Sequence, residues 1–288
     1  MRISISISIT NYTLPGGPAG LRTHLGEIAE VADAAGIDTL WVADHLMQAD
    51  TMSAPTDEML EAYTTLGFLA GRTERVRLGT MVTAVTFRPP SVVIKAISTL
   101  DVLTGGRAWF GIGAGYQQGE AAAMGLPMPP VAERFERLEE TLRLAHQMWA
   151  GDAAPFEGKH YQLTHPVNSP KPTRRPPILV GGAGERRTLR LVAQYADACN
   201  LFDIPDGGKT VRHKLSVLAE HCAAVGRPFA NIEKTIGTAL IPGESLDDFT
   251  RRCAALAELG AEHISVITRG APWTAAAVQL AAAAAAKV

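Results

Sequence analysis

Residues 176–200, PPILVGGAGERRTLRLVAQYADACN, decide how the chain is read. PPILV is a short apolar run entered through prolines, the pattern of a buried parallel strand, and GGAG is a turn of small residues. Leu189, Val192, Ala193 and Ala196 then recur at helical spacing. Strand, loop and helix in that order make one βα unit. Gly181, Gly182 and Gly184 let the backbone approach a ligand closely, and the helix turns free N–H groups and the positive end of its dipole toward the loop, which suits a phosphate. A tight turn that needs small residues only for packing reads the same, so the loop alone leaves both readings open.

The same alternation continues in both directions. Ile3, Ile5, Ile7 and Ile9 alternate with Ser4, Ser6 and Ser8, a period-two strand whose isoleucines would face helices and whose serines would face a barrel interior. Apolar strands follow at 39–43, 77–82 and 107–112, then beyond the opening stretch at 198–202, 234–241 and 263–267. Helical stripes lie between them. One ends at Gly36, one covers 60–70, one starts near Pro90, and one is capped by Ser245 and stopped by Gly260. Residues 156–163, FEGKHYQL, read as a small hairpin insertion. Eight βα units in one pass predict a single (β/α)₈ TIM barrel over residues 1–288, with insertion loops. A doubly wound dinucleotide fold would carry its glycine fingerprint after the first strand and an acid after the second. Here the glycine loops follow strands four and five, and Glu133, near the right distance from Gly113, falls in a helix.

Composition narrows the function classes. The formal net charge is -2 and charged residues make up 19% of 288, so there is no basic field for nucleic acid or an anionic membrane surface. Cys199, Cys222 and Cys253 fall in apolar patterns and read as reduced core residues. MRISISISIT has no continuous apolar segment and no later run is long enough to span a bilayer, which predicts a soluble, cytoplasmic protein.

In a barrel the C-terminal strand ends share one mouth. Asp44 and His45 follow strand two, Thr83 and Arg88 strand three, the GxGxG of 111–115 strand four, and GGAG strand five. Histidine is the side-chain type best suited to give and take a proton near neutral pH, which makes His45 a candidate catalytic residue. Asp44 is placed to orient His45, to ligate a metal or to cap the turn. A metal is disfavoured because strand one ends without a His-x-His, and Schiff-base chemistry because Lys95 and Lys234 fall in a helix and at a strand start. Lys171, Arg174, Arg175, Arg186 and Arg187 flank GGAG in sequence, either as anion partners or as solvated surface. Met47, Met52, Phe87, Met124, Leu126 and Met128 hint at an apolar pocket.

The blocks GIDTLWVADHL, RLGTMVTAVTFRPPSVVIKAISTLDVLTGGRAWFGIGAGY, FEGKHYQL and PPILVGGAGERRTLRLVAQYADACN, in this order, resemble the luciferase-like flavin and deazaflavin oxidoreductases, in particular the branch that uses coenzyme F420. The resemblance implies a (β/α)₈ barrel, commonly a homodimer, that moves a hydride between C5 of F420 and a small-molecule substrate. It sets His45 beside the reactive edge of the deazaflavin, with Asp44 next to it. Met81 and Val82 match the family's non-prolyl cis peptide under the ring, Ala114 and Gly115 match backbone positions near it, and Gly181, Gly182, Ala183 and Gly184 match the phosphate loop. Arg186 would suit the carboxylate tail of the coenzyme. The family's sugar-phosphate dehydrogenases have a glutamate where this chain has Tyr116, which argues against sugar-phosphate oxidation and leaves Tyr116 as a hydrogen-bond donor or a pocket wall. An FMN-dependent monooxygenase on the same barrel, or a non-catalytic coenzyme-binding protein, are the alternatives.

Overall fold

A computed structural model describes residues 1–8, 14, 17–48 and 53–288. Ile9, Met52 and the start of the turn at Pro15 lie outside them. The chain runs β1 (Arg2–Ser6), α1 (Pro18–Ala35), β2 (Thr39–Val42), α2 (Ala62–Ala70), β3 (Arg77–Thr80), β4 (Thr83–Ala84), α3 (Pro90–Thr104) and β5 (Ala108–Gly113). It continues with α4 (Gln118–Ala123), α5 (Val131–Ala150), the antiparallel pair β6 (Phe156–Glu157) and β7 (Gln162–Leu163), β8 (Ile178–Gly181), α6 (Thr188–Tyr195) and β9 (Ala198–Phe202). Then come α7 (Lys209–Ala224), β10 (Glu233–Leu240), α8 (Leu246–Glu258), β11 (His263–Thr268) and α9 (Ala275–Lys287). The parallel strands follow the order β3-β2-β1-β11-β10-β9-β8-β5, and β3 also pairs with β5, which closes an eight-stranded barrel in which β3 and β4 are one broken strand.

The alternation in β1 resolves as its pattern predicts. Ile3 and Ile5 lie in the core between sheet and helices, while the Ser4 hydroxyl faces inward and accepts from Trp41 Nε1 at 2.8 Å. Inside the barrel Trp41 and Trp109 pack with ring centroids 5.7 Å apart, beside Leu179 and Ala198. Gly79 makes room for this pair, since a Cβ there would lie 2.6 Å from Trp109 Cβ and 2.8 Å from the Trp41 ring.

The expected strand 77–82 stops at Thr80, the Met81–Val82 peptide is cis, and the chain rejoins the sheet at Thr83. Glycines on the neighbouring strands receive this step. A Cβ at Gly111 would sit on the Thr80 carbonyl oxygen, one at Gly113 would lie 3.0 Å from Val82 Cγ2, and one at Gly181 would lie 2.8 Å from both Val82 methyls. Close packing therefore accounts for Gly111, Gly113 and Gly181. Gly182 has a different reason, a φ of 104° that side chains rarely tolerate. The hairpin β6–β7 is held by Glu140 of α5, whose buried carboxylate accepts from the N–H groups of Lys159, His160 and Tyr161 at 2.7 to 3.2 Å.

A ring of charges closes the N-terminal end of the barrel. Arg77 pairs with Asp38 and lies over the Trp109 ring, Arg2 pairs with Glu233 at 2.9 Å, and the buried His263 Nδ1 meets Glu233 Oε1 at 2.7 Å. Burial acts to raise the Asp38 carboxyl, but Arg77, His263 and the Thr39 hydroxyl outweigh it and hold it below the ordinary value. Glu233 is lowered in the same way, with burial opposed by His263, Arg2 and Arg77. The cysteines are free and buried, and burial pushes the Cys199 thiol up to about 12 and that of Cys253 to about 11. Among the described residues no helix is long and apolar enough to cross a membrane.

Two measurements check this architecture. Gly111→Ala should destabilise the protein by about 3 kcal/mol or more, because the backbone of Thr80 blocks the methyl. Gly67→Ala, mid-helix with nothing within 4 Å of the new atom, should instead stabilise it by about 0.5–1 kcal/mol, both read from urea unfolding. Asp38 and Glu233 have folded pKa values below their unfolded ones, so the unfolded state binds more protons as the solution is acidified. Their contribution is complete above roughly pH 4–5 and is lost as the pH falls through the depressed folded values. In Asp38→Asn the urea midpoint should start lower at neutral pH and fall less steeply between about pH 5 and 3.

Candidate active site

The C-terminal strand ends surround a cavity of about 890 Å³. Asp44, His45, Met81, Val82, Ala114, Gly115, Tyr116, Gly181, Gly182, Ala183 and Gly184 all line it, and Arg186 does not. Strand, loop and helix units separated by up to 140 residues in sequence thus meet at one site, as the closure of the sheet requires.

Asp44 does not orient His45. Its fully buried carboxylate is gripped by Arg88, with NH1 to Oδ2 at 2.6 Å and NH2 to Oδ1 at 3.0 Å, and it accepts from the Thr83 hydroxyl at 2.7 Å. Arg88 also reaches Glu61 at 2.5 Å and lies over the Tyr63 ring, 4.6 Å from its centroid. Both partners are needed because the end of β2 and the loop after β4 come together here, out of water, where an unpaired charge is costly. The pair locks the segment carrying Met81 and Val82 to the strand end carrying His45.

The partner of His45 is Glu120 from α4. His45 Nδ1 lies 2.7 Å from Glu120 Oε2, and the Leu46 N–H donates to Oε1 at 2.6 Å. The Glu120 side chain is 1% exposed. In sequence Glu120 is only the last residue of the loop GIGAGYQQGE; the available signal was an acid in the first turn of a short helix that follows directly on the glycine loop. With a carboxylate on Nδ1, the ring holds a proton there and offers Nε2 to the cavity. Tyr116 is 72% exposed at the rim, its ring edge-on to His45 at 6.2 Å between centroids.

Ala114 and Gly115 are fixed by Arg134 of α5, which donates to the Gly115 carbonyl. At the GGAG loop the N–H groups of Gly182, Ala183 and Gly184 donate to no protein acceptor among the described residues, and α6 begins just beyond. A Cβ at Gly184 would lie 2.9 Å from the Thr188 hydroxyl, so the loop stays bare against the cavity. Its outer side is tied to α7: Lys214 and His213 reach the Glu185 carboxylate at 2.6 and 3.0 Å, and His221 Nε2 lies 2.8 Å from the Glu185 carbonyl oxygen.

The cations flanking this loop in sequence do not gather around it. Lys171, Arg174 and Arg175 precede β8 and so belong to the opposite end of the barrel, where Arg175 grips Asp197 at 2.6 and 2.7 Å. Arg187 lies over the Phe135 ring, 5.6 Å from its centroid, and Arg186 is exposed beyond the loop. Of the residues expected in an apolar pocket, Phe87 lines the cavity while Met47, Met124, Leu126 and Met128 do not. Val131, Phe135, Phe202, Ile241 and Ile267 take their place. All five come from strand ends six to eight and from α5.

The family model for luciferase-like monooxygenases matches residues 1–287. The chain belongs to the luciferase-like monooxygenase family. An F420-dependent glucose-6-phosphate dehydrogenase of Kineococcus radiotolerans is 32% identical over 84% of this chain and 72% of the relative. Its counterpart in Amycolatopsis mediterranei is 30% identical over 74% of this chain, which spans 63% of that relative's length. Among solved structures, an F420-dependent secondary alcohol dehydrogenase in complex with an F420-acetone adduct superposes with a TM-score of 0.82 at 16% identity, over 99% of this chain and 98% of the other. The EDTA monooxygenase of Chelativorans sp. BNC1 does so equally well, with a TM-score of 0.82 at 14% identity, over 100% and 94%. At such identities the structures attest the luciferase-like barrel itself.

Arg88→Met should cost about 3–5 kcal/mol, since it leaves the Asp44 carboxylate buried and unpaired. The double variant Asp44→Leu/Arg88→Met should recover a large part of that loss in the same urea titration.

Proposed function

We propose that this protein is an F420-dependent oxidoreductase that transfers a hydride between C5 of the deazaflavin and a small organic substrate. The observation that carries this reading is the set of unspent donors at Gly182, Ala183 and Gly184, facing the same cavity as a carboxylate-paired histidine. Bare N–H groups ahead of a helix N-terminus fit a phosphate. Met81, Val82 and Ala114, which all line the cavity, give a flat ring a surface without charged side chains. Identity with F420-dependent relatives favours the deazaflavin over FMN.

When bound, the coenzyme supplies the hydride acceptor or donor, while the chain supplies position and a proton path. Gly182, Ala183 and Gly184 hold the phosphate, and Arg186, exposed just outside, is left for the carboxylate tail. Val82 and Ala114 support the ring. His45 Nε2 takes the proton from an alcohol-type substrate or returns it to a carbonyl, with Glu120 fixing the ring through Nδ1. Tyr116 covers the rim beside His45.

Fluorescence titration should show F420 binding much more tightly than FMN. His45→Ala should bind F420 almost normally and lose about 10²-fold or more in kcat. Glu120→Gln should shift the pH dependence of kcat with a smaller loss. Normal turnover in His45→Ala would remove the histidine from the mechanism, and tighter FMN binding with oxygen consumption would replace the coenzyme.

A further inference from the structure

The ends of β9, β10 and β11 form a second compartment of the cavity, which the cofactor contacts above do not use. At its base is Asn200, in register with Gly181 of β8 on one side and Thr235 of β10 on the other. Asn200 lines the cavity, is 4% exposed, and its Oδ1 has no hydrogen-bond partner among the described residues. Buried amide oxygens are almost always paired, so this one is poised for a ligand. The walls above it are apolar: Phe202, Ile241 and Ile267 line the cavity and are exposed to it or to solvent.

The charges at this compartment decide against an anionic ligand. Arg252 lines the cavity, but Glu244 holds its guanidinium, Nε to Oε1 at 2.7 Å and NH2 to Oε2 at 2.8 Å. Asp203 also lines the cavity, accepts from the Thr238 hydroxyl at 2.9 Å and lies 3.8 Å from the same guanidinium. Two carboxylates thus share one cation, and a phosphate dianion placed here would face Asp203, with only the solvent-exposed Arg269 to offset it. Arg269 stands exposed at the rim, where water screens it.

We infer that this compartment binds an uncharged, largely apolar molecule whose single alcohol or carbonyl oxygen is recognised by the Asn200 amide. The amide serves either form, since a hydroxyl donates to Oδ1 and a carbonyl accepts from Nδ2. The inference rests on the reading of the neighbouring walls as the F420 site, and its test separates the two.

Cyclohexanol, cyclohexanone and glucose 6-phosphate serve as probes of the full chain, with binding followed by saturation-transfer NMR and titration, with and without F420. F420 affinity is measured separately by fluorescence. The two cyclic compounds should bind and compete with each other, and glucose 6-phosphate should neither bind nor displace them. Asn200→Leu should weaken cyclohexanone by about tenfold and F420 by much less. Asn200→Ser, with a smaller polar group, should fall between wild type and Asn200→Leu, and thermal unfolding of both variants reports that the fold is kept. Saturable glucose 6-phosphate binding that displaces cyclohexanone would overturn the inference. So would cyclohexanone binding that Asn200→Leu leaves unchanged, or an equal loss for cyclohexanone and F420, which would assign Asn200 to the coenzyme. If wild-type protein binds cyclohexanone in an Asn200-dependent way but does not bind F420, the proposed coenzyme falls and the compartment assignment stands.

Discussion

Val82 occupies space that Cβ atoms on two other strands would claim, and most of the site depends on that exchange. Gly113 and Gly181 leave room for its methyls, and Gly111 leaves room for the carbonyl just before the step. Strands three, four and five of the barrel are therefore coupled at one point. The apolar step can project into the cavity only because the neighbouring strands present bare backbone there. Any side chain at those positions would push the strands apart or drive Val82 into the mouth, since packed interiors have no slack to absorb it.

Around this point the charges are arranged so that few are left over. At the mouth Asp44 is spent on Arg88 and Thr83, and Glu120 on His45 and the Leu46 N–H. At the opposite end Asp38 is paired with Arg77, and Glu233 with Arg2 and His263. Among the described residues, the groups left unpaired at the cavity include the amides of the GGAG loop, the Asn200 Oδ1 and the Nε of Arg134. In the function proposed above, the phosphate of the coenzyme rests on the backbone donors of this loop. That agrees with a chain whose net charge is near zero and whose arginines flanking the loop mostly serve other ends.

Positions missed in the sequence have a common cause. Glu120 lies 75 residues from His45, and Arg88 lies 44 residues from Asp44, so no local pattern connects either pair. Asn200 looks like an ordinary polar residue near the end of a strand until the register sets it between Gly181 and Thr235 inside the barrel. Lys171, Arg174 and Arg175 misled for the converse reason. Neighbours of a loop in sequence, they are a whole strand length from it in space, because a strand carries the chain from one end of the barrel to the other.

Periodicity, turn residues and the order of glycine loops were enough to establish the barrel, the inward serines and outward isoleucines of β1, and the set of strand ends that share a mouth. Those features follow from local rules, the two-residue pleat and the helical repeat, applied eight times. Tertiary structure alone decided which carboxylate serves which cation, which glycines are bare because a neighbouring strand packs on them, and that Asn200 stands with apolar side chains at the ends of the last three barrel strands. Each depends on distances between segments far apart in the chain, and only closure of the sheet brings those segments together.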